Sequence, residues 1–399
     1  MTISRRELLA GMTAAAAATR ADALQLPQIP TASDGFEPWL EVDRAALAHN
    51  AGVLSRAAGG RQLIAVVKNN AYGLGLATAG PLLDAIPQVW GFAVVRPAEA
   101  LALLAARVQK PVLLMGPTTV EEALELARRN VRLAPYLEGD RERLVSLARR
   151  LERKVRVHLY VDTGMHRMGL PFERLMRWLE PRDLRSAIDI EGSFTELTED
   201  AGFDLEQAAR LRGLAEQARV AGAALGRLHA ASSDALMRPA PETFLDLVRP
   251  GLSLYGGYPT AESKVRGALR PAYRMKARVI RLDHLATGEG VSYHHRYRAD
   301  APTWLATLAI GHVDGYPSGA VRGCEVLLRG KLHRVVGTVS ASHTMVELGS
   351  ETAVQVGDAA TLVGPDDPAL HPNTVAERSG WPEYNMFMHL GADLRRRVV

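Results

Sequence analysis

Lys68 ends an apolar run, residues 63–67, and is followed at once by Asn69-Asn70-Ala71-Tyr72-Gly73. A strand that buries its body delivers this amine to a water-poor tip, where a desolvated amine is a good nucleophile toward an aldehyde. Other polar residues close other apolar runs. Arg167 follows one in VDTGMHRMG, Glu196 another in GSFTELTED, and Ser232 and Ser233 a third in LHAASSD; Arg249 and Gly251 lie in VRPGLSLYG. Hydroxyls and glycine amides suit a phosphate, and an arginine facing a pyridine ring is a specific electronic device. Each residue alone is ordinary: a rim lysine, a turn arginine, a serine at a helix cap. Gathered on one face, they describe a site for pyridoxal 5′-phosphate (PLP).

The elements that must position these residues are short β-type runs at 62–68, 89–96, 111–115, 131–136, 155–162, 188–194, 227–231 and 247–255. Between them lie stretches with helical spacing, such as TVEEALELARRN and DRERLVSLARRLER. Eight strands alternating with helices predict an α/β fold, a parallel (β/α)8 barrel, whose reactive residues cluster at the C-terminal strand ends. No GxGxxG turn follows the first run, so an open doubly wound sheet fits less well. Later residues show strand-length runs and glycine turns with no clear long helix, which predicts a mostly β C-terminal domain. The expected division is barrel 39–268 and β-rich domain 269–399.

At 399 residues the chain accommodates one large and one smaller domain. Its net charge of +4 is spread without a basic run, so neither nucleic acid nor a membrane surface is suggested as a partner. A single cysteine, Cys324, rules out a disulfide within the chain. No run of about 18 apolar residues predicts a membrane span, and the His294-His295 pair lacks zinc-site spacing, so no metal is expected. Residues 1–23 carry Arg5-Arg6, an apolar stretch and Ala21-Asp22-Ala23. That pattern predicts an export signal of the twin-arginine type, a linker over 24–38 and a periplasmic location.

AVVKNNAYGLG resembles the PLP-lysine motif of alanine racemases, usually written AVVKANAYGHG. VHLYVDTGMHRMG, VRPGLSLYG, GEGVSY, IGHVDGYP and VVGTVSASHTMVEL also match, in the family's order, from about Trp39 to Val399. The resemblance implies a PLP-binding barrel, a β domain and a head-to-tail homodimer with shared active sites, acting on a small-molecule amino-acid substrate. It implies that Lys68 holds PLP covalently and serves as one catalytic base, with Tyr293 as the second base across the dimer interface. It assigns Tyr72, Ser233, the backbone at Gly251 and Leu252, and Tyr384 to the phosphate. Arg249, with His229 behind it, matches the ring-nitrogen partner, and Arg167 matches the contact to the PLP phenolic oxygen and the substrate carboxylate. Two bases on opposite faces remove and return a Cα proton without moving the substrate.

The chain departs from that pattern at several points. The family's histidine after the sixth strand is Glu196, read as a substrate-site residue or a partner for Tyr293. Its often carbamylated lysine is Tyr160. Bulky entrance residues are replaced by Ala341, His312, Ser318 and Thr338. Specificity by exclusion depends on such bulk, so longer side chains are expected to enter, with Glu196 and Glu199 favouring basic ones. The alternatives are a PLP-dependent decarboxylase of the same barrel class and a non-catalytic PLP- or amino-acid-binding relative. Decarboxylases keep an acidic partner on the ring nitrogen, which Arg249 opposes.

Overall fold

The computed structural model describes residues 35–238, 240–260, 263 and 268–399; the expected signal and most of the expected linker lie outside these. Eight parallel strands form the larger domain: β1 (Gln62–Val66), β2 (Val89–Val94), β3 (Val112–Leu114), β4 (Arg132–Leu133), β5 (Val155–Asp162), β6 (Ile188–Phe194), β7 (Arg227–His229) and β8 (Leu247–Val248). Each pairs with its neighbours in sequence. The pairings of β4 with β5 and of β8 with β1 complete the ring. The result is a closed (β/α)8 barrel. Its strands are apolar on both faces because one side meets the barrel interior and the other the helices. Residues 63–67 of β1 and its extension are almost fully buried.

The connecting helices start where side chains satisfy their free N–H groups. Asp43 accepts from Ala46 N at 2.8 Å, and Asp200 from Phe203 N at 3.0 Å. Thr119 and Glu122 form a reciprocal capping box ahead of Val120–Arg128.

Two strand ends differ from expectation. The run 247–255 contributes only Leu247–Val248 to the sheet, because Pro250 lacks a donor and Gly251 bends the chain into a 3-10 turn, Leu252–Tyr255. The run 62–68 leaves the sheet at Val66, and Lys68 opens a sharp turn instead.

The second domain is an eight-stranded sheet. Its long strand Tyr273–Leu285 alternates buried and partly exposed residues, as a one-sided antiparallel strand should. That strand also pairs with Thr303–Leu308, which closes six strands of the sheet into a ring. Trp39–Val42, which the division at 39 places with the barrel, is hydrogen-bonded into this sheet between Tyr273–Leu285 and Arg395–Val398. The chain thus begins and ends its described course in the β domain, and one continuous apolar core runs under both units. No described helix is long and apolar enough to cross a membrane.

Candidate active site

Lys68 leaves β1 at the C-terminal mouth of the barrel. The next four residues, 69–72, all take left-handed backbone angles, with φ between 51° and 57°. L-residues other than glycine adopt this region at a cost, and asparagine bears it best. Tertiary contacts hold the turn. Ala71 N donates to Val67 O at 2.9 Å, and the Asn70 side chain accepts from Leu76 N at 2.9 Å. The buried Glu99 carboxylate accepts from Asn69 N at 2.6 Å and from Val95 N and Arg96 N, both at 3.1 Å. Sequence reasoning passed over Glu99, although a proline two residues before it marked a helix start. The reversal seats Tyr72 under the barrel mouth, stacked on Tyr255 at 4.8 Å between ring centres.

A cavity of about 340 Å³ opens there, and Lys68, Tyr72, Arg167, Glu196, Ser233, Arg249, Gly251 and Tyr384 all line it. Eight residues from six separate stretches of the sequence are therefore neighbours. At one end, hydroxyls and amides converge. Ser233 Oγ accepts from Gly251 N at 3.0 Å and Ser253 N at 3.1 Å, and the Leu252 backbone faces the Tyr72 hydroxyl. A Cβ added at Gly251 would lie 2.2 Å from Tyr72 Oη, so only glycine leaves this cradle open. Burial pushes the Tyr72 phenol up, with the Tyr384 phenol adding to it. Burial and then Glu199 push Tyr384 up to about 12. Both phenols stay protonated donors, which fits a phosphate.

At the other end stands Arg249, 2% exposed. It donates to Thr195 O at 2.7 Å, to His229 O at 2.9 Å and to Ala230 O at 3.1 Å. Its Nη1 also meets His229 Nδ1 at 2.9 Å, and His229 Nε2 meets His158 Nδ1 at 2.8 Å. Burial first, and then neighbouring arginines, hold His158 down to about 3 and His229 well below the ordinary histidine value. With both rings neutral, Arg249 donates to His229, which donates to His158, whose Nε2 proton has no bonded partner. The second histidine of this relay went unnoticed in the sequence, where its signal was a lone polar residue inside the apolar run VHLYV.

Glu196 lies between two guanidinium groups, 3.0 Å from Arg249 Nη2 and 3.6 Å from Arg167 Nη2. Tyr160 stacks on Phe194 at 4.4 Å, and its phenol, pushed up by burial and then by Glu196, is drawn back down by the nearby Arg167.

Three of the expected site residues lie elsewhere, and so do the entrance residues Ser318 and Thr338. Tyr293, His312 and Ala341 are exposed on the β domain and do not line this cavity. His312 N donates to Ser340 O at 3.0 Å and Val313 N to Ala341 O at 3.1 Å, so two of the three share one surface. Among the described residues no cluster suits a metal ion. Cys324 is buried, and that burial raises its thiol to about 11, so it packs rather than reacts.

The cradle, the strand-end amine and the buried arginine fit PLP at phosphate, aldehyde and ring nitrogen respectively. A barrel with such a mouth, followed by a β domain, defines the barrel class of PLP enzymes. Residues 42–259 match the family described as "Alanine racemase, N-terminal domain", and residues 272–398 match "Alanine racemase, C-terminal domain". The chain is 32% identical over 372 residues to an alanine racemase of Geobacter sp. (strain M21), covering 90% of this chain and 97% of that one. The structure superposes with a TM-score of 0.83 on the alanine racemase from D-cycloserine-producing Streptomyces lavendulae, at 27% identity, covering 91% and 97% of the two chains. A Bartonella henselae alanine racemase with covalently bound pyridoxal phosphate matches at TM-score 0.77 and 25% identity, covering 91% and 99%. The chain belongs to the alanine racemase family, isomerases that depend on PLP.

Proposed function

We propose that this protein interconverts the L- and D-forms of alanine and of larger and basic amino acids, using Lys68 and Tyr293 as bases on opposite faces of Cα. The observation that carries this reading is the cavity itself, in which the strand-end amine, the phosphate cradle and Arg249 meet. PLP, when bound there, withdraws electrons from the amino acid so that the Cα proton becomes removable. Tyr72, Ser233, Tyr384 and the backbone at Gly251 and Leu252 would hold its phosphate, and Lys68 its aldehyde carbon. Arg249 would face the ring nitrogen. An arginine is effectively never deprotonated, so it leaves that nitrogen without a proton and restrains side reactions. Arg167 orients the substrate carboxylate.

Lys68 exchanges the proton on one face. Tyr293 of the same chain does not line the cavity, and a homodimer that seats the partner's Tyr293 on the other face completes the pair. Broad specificity is supported by Ala341, His312, Ser318 and Thr338 in place of bulky or charged residues. Basic side chains are favoured by Glu199, which lines the cavity; burial and then the negative field of Asp234 raise its carboxyl, and a cation relieves both. The twin arginines at Arg5 and Arg6 support export to the periplasm.

A panel of purified L-amino acids incubated with the PLP-loaded protein tests the function. Racemisation of alanine together with lysine or arginine is expected. Activity confined to alanine removes the broad specificity, and release of carbon dioxide without racemisation contradicts the whole reading.

A further inference from the structure

We propose that Glu196 is a positioning residue, the shared counter-ion that anchors the substrate-carboxylate arm Arg167 to Arg249. This rests on the racemase reading above. A guanidinium buried like that of Arg249 needs an anionic partner. Its other acceptors are neutral: the carbonyls of Thr195, His229 and Ala230, and Nδ1 of His229. Among the described residues, the carboxylate that meets Arg249 is Glu196, through Oε1 at 3.0 Å. Its second oxygen, Oε2, faces Arg167 at 3.6 Å.

Arg167 needs such an anchor. Its side chain is 57% exposed, and the Tyr160 phenol on β5 lies close enough to feel its charge. A long exposed side chain samples many rotamers, and fixing it costs entropy each time a substrate binds. An isolated exposed ion pair would do little to prevent that. Here the carboxylate is itself immobile. Arg249 clamps one oxygen, and the backbone beneath is fixed, with Gln207 Nε2 donating to Glu196 O at 3.0 Å and Thr195 N to His229 O at 3.3 Å. The charges also sum usefully. Glu196 neutralises Arg249, which leaves the positive charge of Arg167 for an incoming carboxylate. Tyr160, on the neighbouring strand β5, offers no anion, so Glu196 supplies the one negative charge shared by both arginines.

The test uses full-length PLP-loaded protein, with alanine kinetics and calorimetric binding of propionate, a carboxylate that lacks the amine. Glu196→Gln is expected to raise both the KM for alanine and the Kd for propionate about tenfold, with kcat within about threefold and the cofactor's visible band retained. Glu196→Asp keeps the partner of Arg249 but shortens the reach to Arg167, and raises the propionate Kd at least about threefold. In an Arg167→Lys background, Glu196→Gln adds no more than about twofold. Propionate binding unchanged in both Glu196 variants overturns the proposal, as does an equal loss in the two backgrounds. Propionate binding needs no turnover. A protein that binds it in this Glu196-dependent way but racemises nothing contradicts the racemase reading and leaves the anchor standing.

Discussion

Lys68 and Tyr293 of one chain do not share a site: Lys68 lines the barrel cavity, while Tyr293 is 66% exposed on the β domain, outside that cavity. Single substitutions at the two positions should therefore fail differently. Lys68→Ala loses the covalent hold on PLP, so that after borohydride treatment and denaturation the cofactor leaves with the solvent, whereas the parent chain keeps it. Tyr293→Phe keeps the cofactor bound in the same assay and loses on the order of 10²–10⁴ in racemisation rate.

Gly251 is the tightest point of the phosphate cradle. A methyl group there would sit 2.2 Å from Tyr72 Oη and 2.8 Å from its Cζ, and Tyr72 is backed by Tyr255. Gly251→Ala should weaken PLP binding by about tenfold or more, since overpacking costs ~1–3 kcal/mol. Titrating PLP into the cofactor-free variant, followed by visible absorbance, measures it.

The His229–His158 relay makes stability fall with acid. Both histidines have folded-state pKa values below the unfolded value of about 6.5. Their contribution is therefore complete above about pH 6.5 and is lost as pH falls toward the folded values, about 3 for His158. Each unfolded histidine binds a proton that its folded counterpart refuses, a slope of about 1.4 kcal/mol per pH unit. Denaturant unfolding at about pH 5 should show one proton fewer taken up in His158→Gln than in the parent. Equal uptake in the two would contradict the neutral relay.

Much of this was legible in the residues because the information was local. Each barrel strand announced itself as a short apolar run, and the polar residues closing five of the eight marked the barrel mouth. What escaped depended on partners distant in sequence. The left-handed turn after Lys68 exists because Glu99, thirty residues away, accepts from Asn69 N. Trp39–Val42 reads as the start of the barrel segment, yet its partners are Tyr273–Leu285 and Arg395–Val398. Glu196 stood out as a departure in type, but ring closure decides that it lies between Arg167 and Arg249. The early end of β8 was written in Pro250-Gly251, a signal weaker than the apolar run around it.

Mixing two inactive chains tests the shared site most directly. Lys68→Ala and Tyr293→Phe proteins are unfolded together and refolded at equal concentration with PLP. A site built from Lys68 of one subunit and Tyr293 of the partner subunit leaves each mixed dimer with one intact pair, and about a quarter of parental racemase activity should return. If the mixture stays as inactive as its components although mixed dimers have formed, the two bases do not meet across an interface, and the account fails.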